Sequence, residues 1–155
     1  MSSVALKLQE LNISIPEAAK AAANYVPYII SGNQIIISGQ LPIENGKIED
    51  SSKGKLGLNL SVEEGQKIAK KCAINIIGQV CSALNGELDR AKCLKIGVFV
   101  NSAPDFTDQP KVANGASDLL AEAFGENGIH ARSAVGVAAL PFDVAVEVEA
   151  VFEIL

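Results

Sequence analysis

The sequence predicts an α+β fold: a two-layer sandwich in which a mixed β-sheet carries two helices on one face. Two observations carry that expectation. Two segments repeat apolar residues at helical spacing, while five shorter runs alternate or are wholly apolar. Their order, β-β-α-β-α-β-β, mixes the two kinds without strict alternation, and two helices can cover only one face of such a sheet. The chain has 155 residues, 48% hydrophobic and 20% charged. That is the length of one domain, taken as residues 1–155, with enough apolar material for a core; a disordered or fibrous chain is excluded.

Pro16 opens a short Ala-rich pattern, Glu17 to Ala23, that reads as one or two helical turns. Tyr25–Ile30 and Gln34–Ser38 are β-rich runs joined by Ser31-Gly32-Asn33, a hairpin signal. Ile35-Ile36-Ile37 is apolar on both faces, so this strand should be covered on both sides. From about 44 to 60 the chain turns polar and reads as a long surface loop. Ser61 and Glu64 form a capping box. The helix they start runs to about Leu84, where Asn85-Gly86 stops it.

Leu94, Ile96, Val98 and Val100 give the next strand one apolar face. Asp108 and Pro110 open the second helix, with Val112, Ala116, Leu119 and Ala123 as its stripe. Arg132–Ala139 and Val144–Ile154 complete the set. In the last strand Val144, Val146, Val148, Ala150, Phe152 and Ile154 form the core face, and Ala145, Glu147, Glu149, Val151 and Glu153 the other. A partly apolar face without helices asks for another subunit, so a homo-oligomer is expected.

The 13 basic and 18 acidic residues leave a net charge of −5. That balance, with no Trp and few other aromatics, argues against nucleic acid as a partner. Cys72, Cys81 and Cys93 form no C-x-x-C pair, and with one histidine a metal site is not expected. Charged residues interrupt the first ten positions and no apolar stretch is long enough to span a bilayer, so a cytoplasmic protein with no membrane partner is expected.

No Walker, dinucleotide-binding, zinc-protease or serine-hydrolase motif is present. The lone His130, beside a Gly-Ile turn, reads as a surface or capping residue. Arg132 and Glu147 remain. If their strands pair antiparallel around Leu140–Asp143, the two stand almost opposite one another, though a one-residue shift would put them on opposite faces. Two readings stand from spacing alone: a cross-strand salt bridge, or an anion receptor in which the guanidinium grips a carboxylate and Glu147 handles a proton.

Arg132-Ser-Ala-Val-Gly-Val-Ala-Ala-Leu-Pro141 followed by Val146-Glu147-Val148-Glu149-Ala150 resembles the closing signature of the RidA (YjgF) family. Asn24-Tyr25-Val26-Pro27, Ser38-Gly39-Gln40-Leu41-Pro42 and Val112-Ala113-Asn114 resemble its other hallmarks, in the same order. The loop at 44–60 and the residues around Phe106–Pro110 resemble a longer subgroup, often labelled endoribonuclease L-PSP. The resemblance implies a chorismate-mutase-like fold and a homotrimer with a ligand cleft at each interface. It also implies hydrolysis of reactive enamines and imines, such as 2-aminoacrylate, to 2-keto acids and ammonia without a cofactor.

By the same resemblance, Arg132 would bind the carboxylate of a small substrate and Glu147 would orient or activate the attacking water. Tyr25, Ser38, Gly39, Asn114 and Ala134 would line the cleft. Ala134 departs from the family, which commonly has cysteine there; a module that binds small carboxylates or 2-keto acids without turnover is therefore the alternative, and an endoribonuclease a third. Bland readings accompany each residue: Tyr25 as interface packing, Asn114 as a bond within its helix, Ser38-Gly39 as a tight bend. Apolar neighbours would raise the Glu147 pKa and a nearby Arg132 would lower it, and sequence leaves that balance open.

Overall fold

In a computed structural model, residues 1–21 and 23–155 are described. Five strands form one sheet: β1 (Tyr28–Ser31), β2 (Gln34–Gln40), β3 (Ala91–Asn101), β4 (Ala131–Val137) and β5 (Val146–Ile154). Their spatial order is β1-β2-β5-β3-β4. All neighbours are antiparallel except β3 and β4, which run parallel. Helices α2 (Val62–Ala83) and α3 (Gln109–Phe124) cover one face, and α3 is the crossover between the parallel strands.

The α+β class and the mixed sheet agree with the sequence reading, as does the β1–β2 hairpin, with Gly32 at φ 60 in its two-residue turn. The capping box is complete: Ser61 N–H donates to Glu64 Oε2 at 2.7 Å, and Glu64 N–H to Ser61 Oγ at 3.2 Å. Val146, Val148, Ala150 and Phe152 of β5 are buried with Ile96, Val98 and Val100 of β3 and the inner stripes of α2 and α3, and Ile154 is partly buried against them.

Three features differ from expectation. The fold has a further helix, α1 (Ser3–Glu10), which packs Val4 and Leu8 into the core beside α3. Ser2 Oγ caps it by accepting from Ala5 N–H, while the Asp89 carboxylate accepts from Ser3 and Val4 N–H at 2.8 and 3.0 Å. The Ala-rich segment shows no helix over Glu17–Ala21; Ala22 lies outside the described residues. Here the chain crosses α2, with Pro16 against Gly78 and the Ala19 carbonyl accepting from Gln79 Nε2 at 2.8 Å. Contact with α2 therefore overrides alanine's helix propensity.

The 44–60 segment is not wholly superficial, because Leu56 and Ser52 are fully buried. Its buried backbone pairs at one end of the sheet: Leu56 N–H donates to the Asn101 carbonyl, and Ala103 N–H to that of Leu56. No helix among the described residues is long and apolar enough to cross a membrane.

The helices pack tightly at Gly115, where a Cβ would lie 2.0 Å from the Gln66 carbonyl oxygen. Backbone cannot swing aside as a side-chain tip can. Replacement Gly115→Ala is therefore expected to lower stability by about 1–3 kcal/mol in urea unfolding, overcoming alanine's helix preference of roughly 1 kcal/mol. Unchanged or increased stability would refute this packing argument.

Candidate functional site

Residues that can carry chemistry gather in two clusters on opposite faces of the sheet. The first surrounds Glu147. Register between β2 and β5 shifts between Ile37 and Gln40, and Gly39 lies within this irregularity. A Cβ on Gly39 would stand 2.1 Å from Glu147 Oε1, so the carboxylate occupies space that only glycine leaves open. Ser38 ties β2 to the preceding segment, its hydroxyl donating to the Val26 carbonyl at 2.7 Å and its N–H to that of Pro27 at 2.9 Å. Exposed Tyr25 lines a small cavity of about 60 Å³ with Gly39, Pro27 and Lys20.

Glu147 is half-buried on the face away from the helices. Burial raises its carboxyl above the ordinary 4.5, and the charge of Glu149 adds to the rise. Glu149 lies instead over Gly97 of β3, where a Cβ would meet its Oε1 at 2.9 Å. The two carboxylates thus lean to opposite sides of β5. The same open face carries Ile29, Ile36 and Val135, which are 56%, 42% and 45% exposed and form an apolar surface that α2 and α3 do not cover.

The second cluster surrounds Arg132, near the start of edge strand β4. Pairing with Ile96 places it on the helix-covered face. Its Nη1 donates to Asn114 Oδ1 at 2.8 Å and Ser117 Oγ at 3.1 Å, and its Nη2 to the Pro110 carbonyl at 3.3 Å. Asn114 and Ser117 are neighbours on α3 by their i,i+3 spacing. Ala134, partly buried against the core, and Gly136 follow Arg132 on the same face of β4.

The expected pairing of Arg132 with Glu147 does not occur within the chain. Strand β3 separates β4 from β5, and β4 is parallel to β3. The Pro141–Asp143 turn, with Phe142 and Asp143 at φ 56 and 59, carries the chain past β3 instead of into a hairpin. Glu147 pairs with Phe99 and Arg132 with Ile96, three residues apart along β3 and on opposite faces. Strand spacings put their Cα atoms roughly 14 Å apart. Tyr25, Ser38, Gly39 and Glu147 come together; Asn114, Arg132 and Ala134 come together elsewhere.

Sequence reasoning missed Ser117 and gave His130 only a surface or capping role. His130 does meet the Gly128 carbonyl, with Nδ1 at 2.6 Å, but its Nε2 also lies 2.9 Å from Ser117 Oγ. Periodicity held the clue: Ser117 follows Asn114 by three on a helix, and His130 precedes Arg132 by two.

Because the folded pKa of Glu147 is raised, its protonated form favours the folded state. Its contribution is full below the ordinary 4.5 and is lost as pH rises through the raised value. For the chain kept dilute enough to be monomeric, melting temperatures of wild type and Glu147→Gln should therefore diverge in favour of the variant as pH climbs above 4.5. A gap that stays constant with pH would contradict the shift.

A family model described as "YjgF/chorismate mutase-like, putative endoribonuclease" matches residues 6–154. Protein TCP17 of Trypanosoma cruzi is 52% identical over 153 residues, covering 97% of this chain and 94% of that protein. Among solved structures, a protein of unknown function from Agrobacterium tumefaciens superposes with a TM-score of 0.91 at 46% identity, covering 99% of this chain and 93% of its own. A Shewanella oneidensis MR-1 protein, named for endoribonuclease activity, gives 0.93 at 33% identity, covering 99% and 100%. The Escherichia coli YjgF product gives 0.63 at 25% identity, covering 88% and 93%. With the fold, the arginine-to-glutamate segment and the family match agreeing over almost the whole length, the chain belongs to the YjgF/chorismate mutase-like family.

Proposed function

We propose that two copies of the chain complete each site, within a homotrimer, and that the resulting cleft hydrolyses small enamines and imines such as 2-aminoacrylate. The supporting observation is the split itself. One half offers a guanidinium held by α3, the other a half-buried carboxylate beside Gly39, and the chain places them on opposite faces. The exposed apolar residues of the open face give a second copy something to cover.

In this reading Arg132 of one copy chelates the substrate carboxylate. The imine carbon then sits near the other copy's Ser38-Gly39 segment and Glu147, with Tyr25, Asn114 and Ala134 along the walls. Glu147 takes a proton from water as the new C–O bond forms at C2. The C=N π pair moves to nitrogen, which takes that proton back from Glu147. Glu147 then carries the hydroxyl proton of the carbinolamine to nitrogen as well, so that C=O forms as the C–N bond breaks and ammonia leaves. Imine and water thus become 2-keto acid and ammonia, with no change of oxidation state. An imine carbon is already electrophilic, so positioning supplies much of the acceleration.

Freshly generated 2-aminoacrylate should yield pyruvate and ammonia faster with the protein than without it. Glu147→Gln should lower kcat by about 10²-fold or more, the scale of a lost general base. Arg132→Ala should lower kcat/KM by a similar order, about 10²-fold, through loss of a charged bidentate contact. Co-refolding these two inactive variants in equal amounts should restore about a quarter of the sites, since random assembly pairs an intact half with an intact half that often. No restoration would reject a site shared between copies.

Ala134, which brings no thiol to the cleft, favours one further reading: a carboxylate-binding module without turnover. Thermal stabilisation by pyruvate with no release of ammonia from 2-aminoacrylate would select it. The endoribonuclease name borne by relatives fits this chain less well, because a net charge of −5 opposes polyanion binding. RNA cleavage that persists through repurification and is lost in Glu147→Gln would reinstate it.

A further inference from the structure

We infer that Ser117 and His130 are positioning residues for Arg132, holding its guanidinium so that one chelating edge remains for a carboxylate; this rests on the function proposed above and extends it. The chain of bonds begins at the Gly128 carbonyl, which can only accept. His130 Nδ1 lies 2.6 Å from it and so carries a proton. In the neutral ring Nε2 is then an acceptor. Ser117 Oγ, 2.9 Å away, donates to that nitrogen. With its hydrogen directed there, Oγ turns a lone pair to Arg132 Nη1 at 3.1 Å.

Both Nη1 hydrogens are thereby engaged, one by Ser117 and one by Asn114 Oδ1 at 2.8 Å. One Nη2 hydrogen is directed at the Pro110 carbonyl, 3.3 Å away. Of the five guanidinium donors, Nε–H and one Nη2 N–H are left, and these two nitrogens form the side-on edge that matches a carboxylate. Pro110, Asn114 and Ser117 all stand on α3, so the helix sets the plane of the guanidinium. His130 joins this helical frame to the segment that enters β4.

A serine beside an imidazole also brings an activated nucleophile to mind. Here the Ser117 oxygen is already bonded to a cation, which withdraws the electron pair that an attack would need. The pair is a brace.

His130 is the chain's single histidine, so the two imidazole nitrogens of the ¹⁵N-labelled full chain can be read by NMR without assignment. In the neutral ring the Nδ1–H tautomer is expected, and the Nε2–H tautomer would overturn the inference. Pyruvate binding, measured by calorimetry, should weaken about tenfold in Ser117→Ala, and KM for the imine should rise alike while kcat stays within about threefold, because the carboxylate grip is common to ground and transition states. Ser117→Thr, which keeps the hydroxyl, should restore both. A fall in kcat at constant KM, or labelling of Ser117 by a fluorophosphonate, would overturn the brace. Because pyruvate binding needs no turnover, an absence of deaminase activity would defeat the proposed reaction while the Ser117 comparison still decides this one; pyruvate that fails to bind wild type would defeat both.

Discussion

Alternation along β5 governs the rest of the molecule. Val146, Val148, Ala150 and Phe152 point into the core, which leaves Glu147 and Glu149 on the opposite face. Because β5 is paired on both sides, its parity is imposed on β2 and β3 through their registers. Slipping it by one residue would bury the glutamates and expose Phe152, combining unpaired buried charge with lost apolar burial. The face on which the carboxylate appears is therefore fixed by the same pattern that builds the core.

Much of this was readable in the residues, and the errors in strand placement share one cause. Local signals performed well: the Ser61–Glu64 capping box, the Gly32 hairpin turn and the even-odd contrast of 144–154 each arise within a few residues of one another. The order of strands does not. Nothing near Pro141 tells the chain to pass β3 before pairing, so two adjacent strands in sequence were read as adjacent in space. The parallel β3–β4 pair depends on α3 packing across the sheet, a contact between distant parts of the chain. For the same reason the sequence names Arg132, Asn114, Gly39 and Glu147 but not their division between two faces. Ser117, and any role of His130 beyond a surface or capping one, are not legible in sequence because each is unremarkable until the other is placed beside it.

Glycines shape the open face as much as the acids do. Gly39 and Gly97 flank β5 and give Glu147 and Glu149 room to lie across neighbouring backbone. The two like charges are thereby separated, yet Glu147 remains sheltered enough for burial to raise its pKa. In the proposed cleft, a guanidinium from another copy would pull that value down again. The proton affinity of Glu147 would then depend on whether the site is assembled, which gives a lone subunit and an assembled one different acid–base character.

The central place of β5 has a further consequence for how the molecule is made. This strand leaves the ribosome after β2 and β3, between which it must insert. Until it arrives, both of those strands have an unfilled edge, and the apolar stripe of α2 lacks part of its floor. Such a nascent chain depends on distant contacts that form late, which slows folding and exposes sticky edges meanwhile. Truncation within the last strand should then do more than trim an end: it would remove the keystone and leave a split sheet open to chaperones and aggregation.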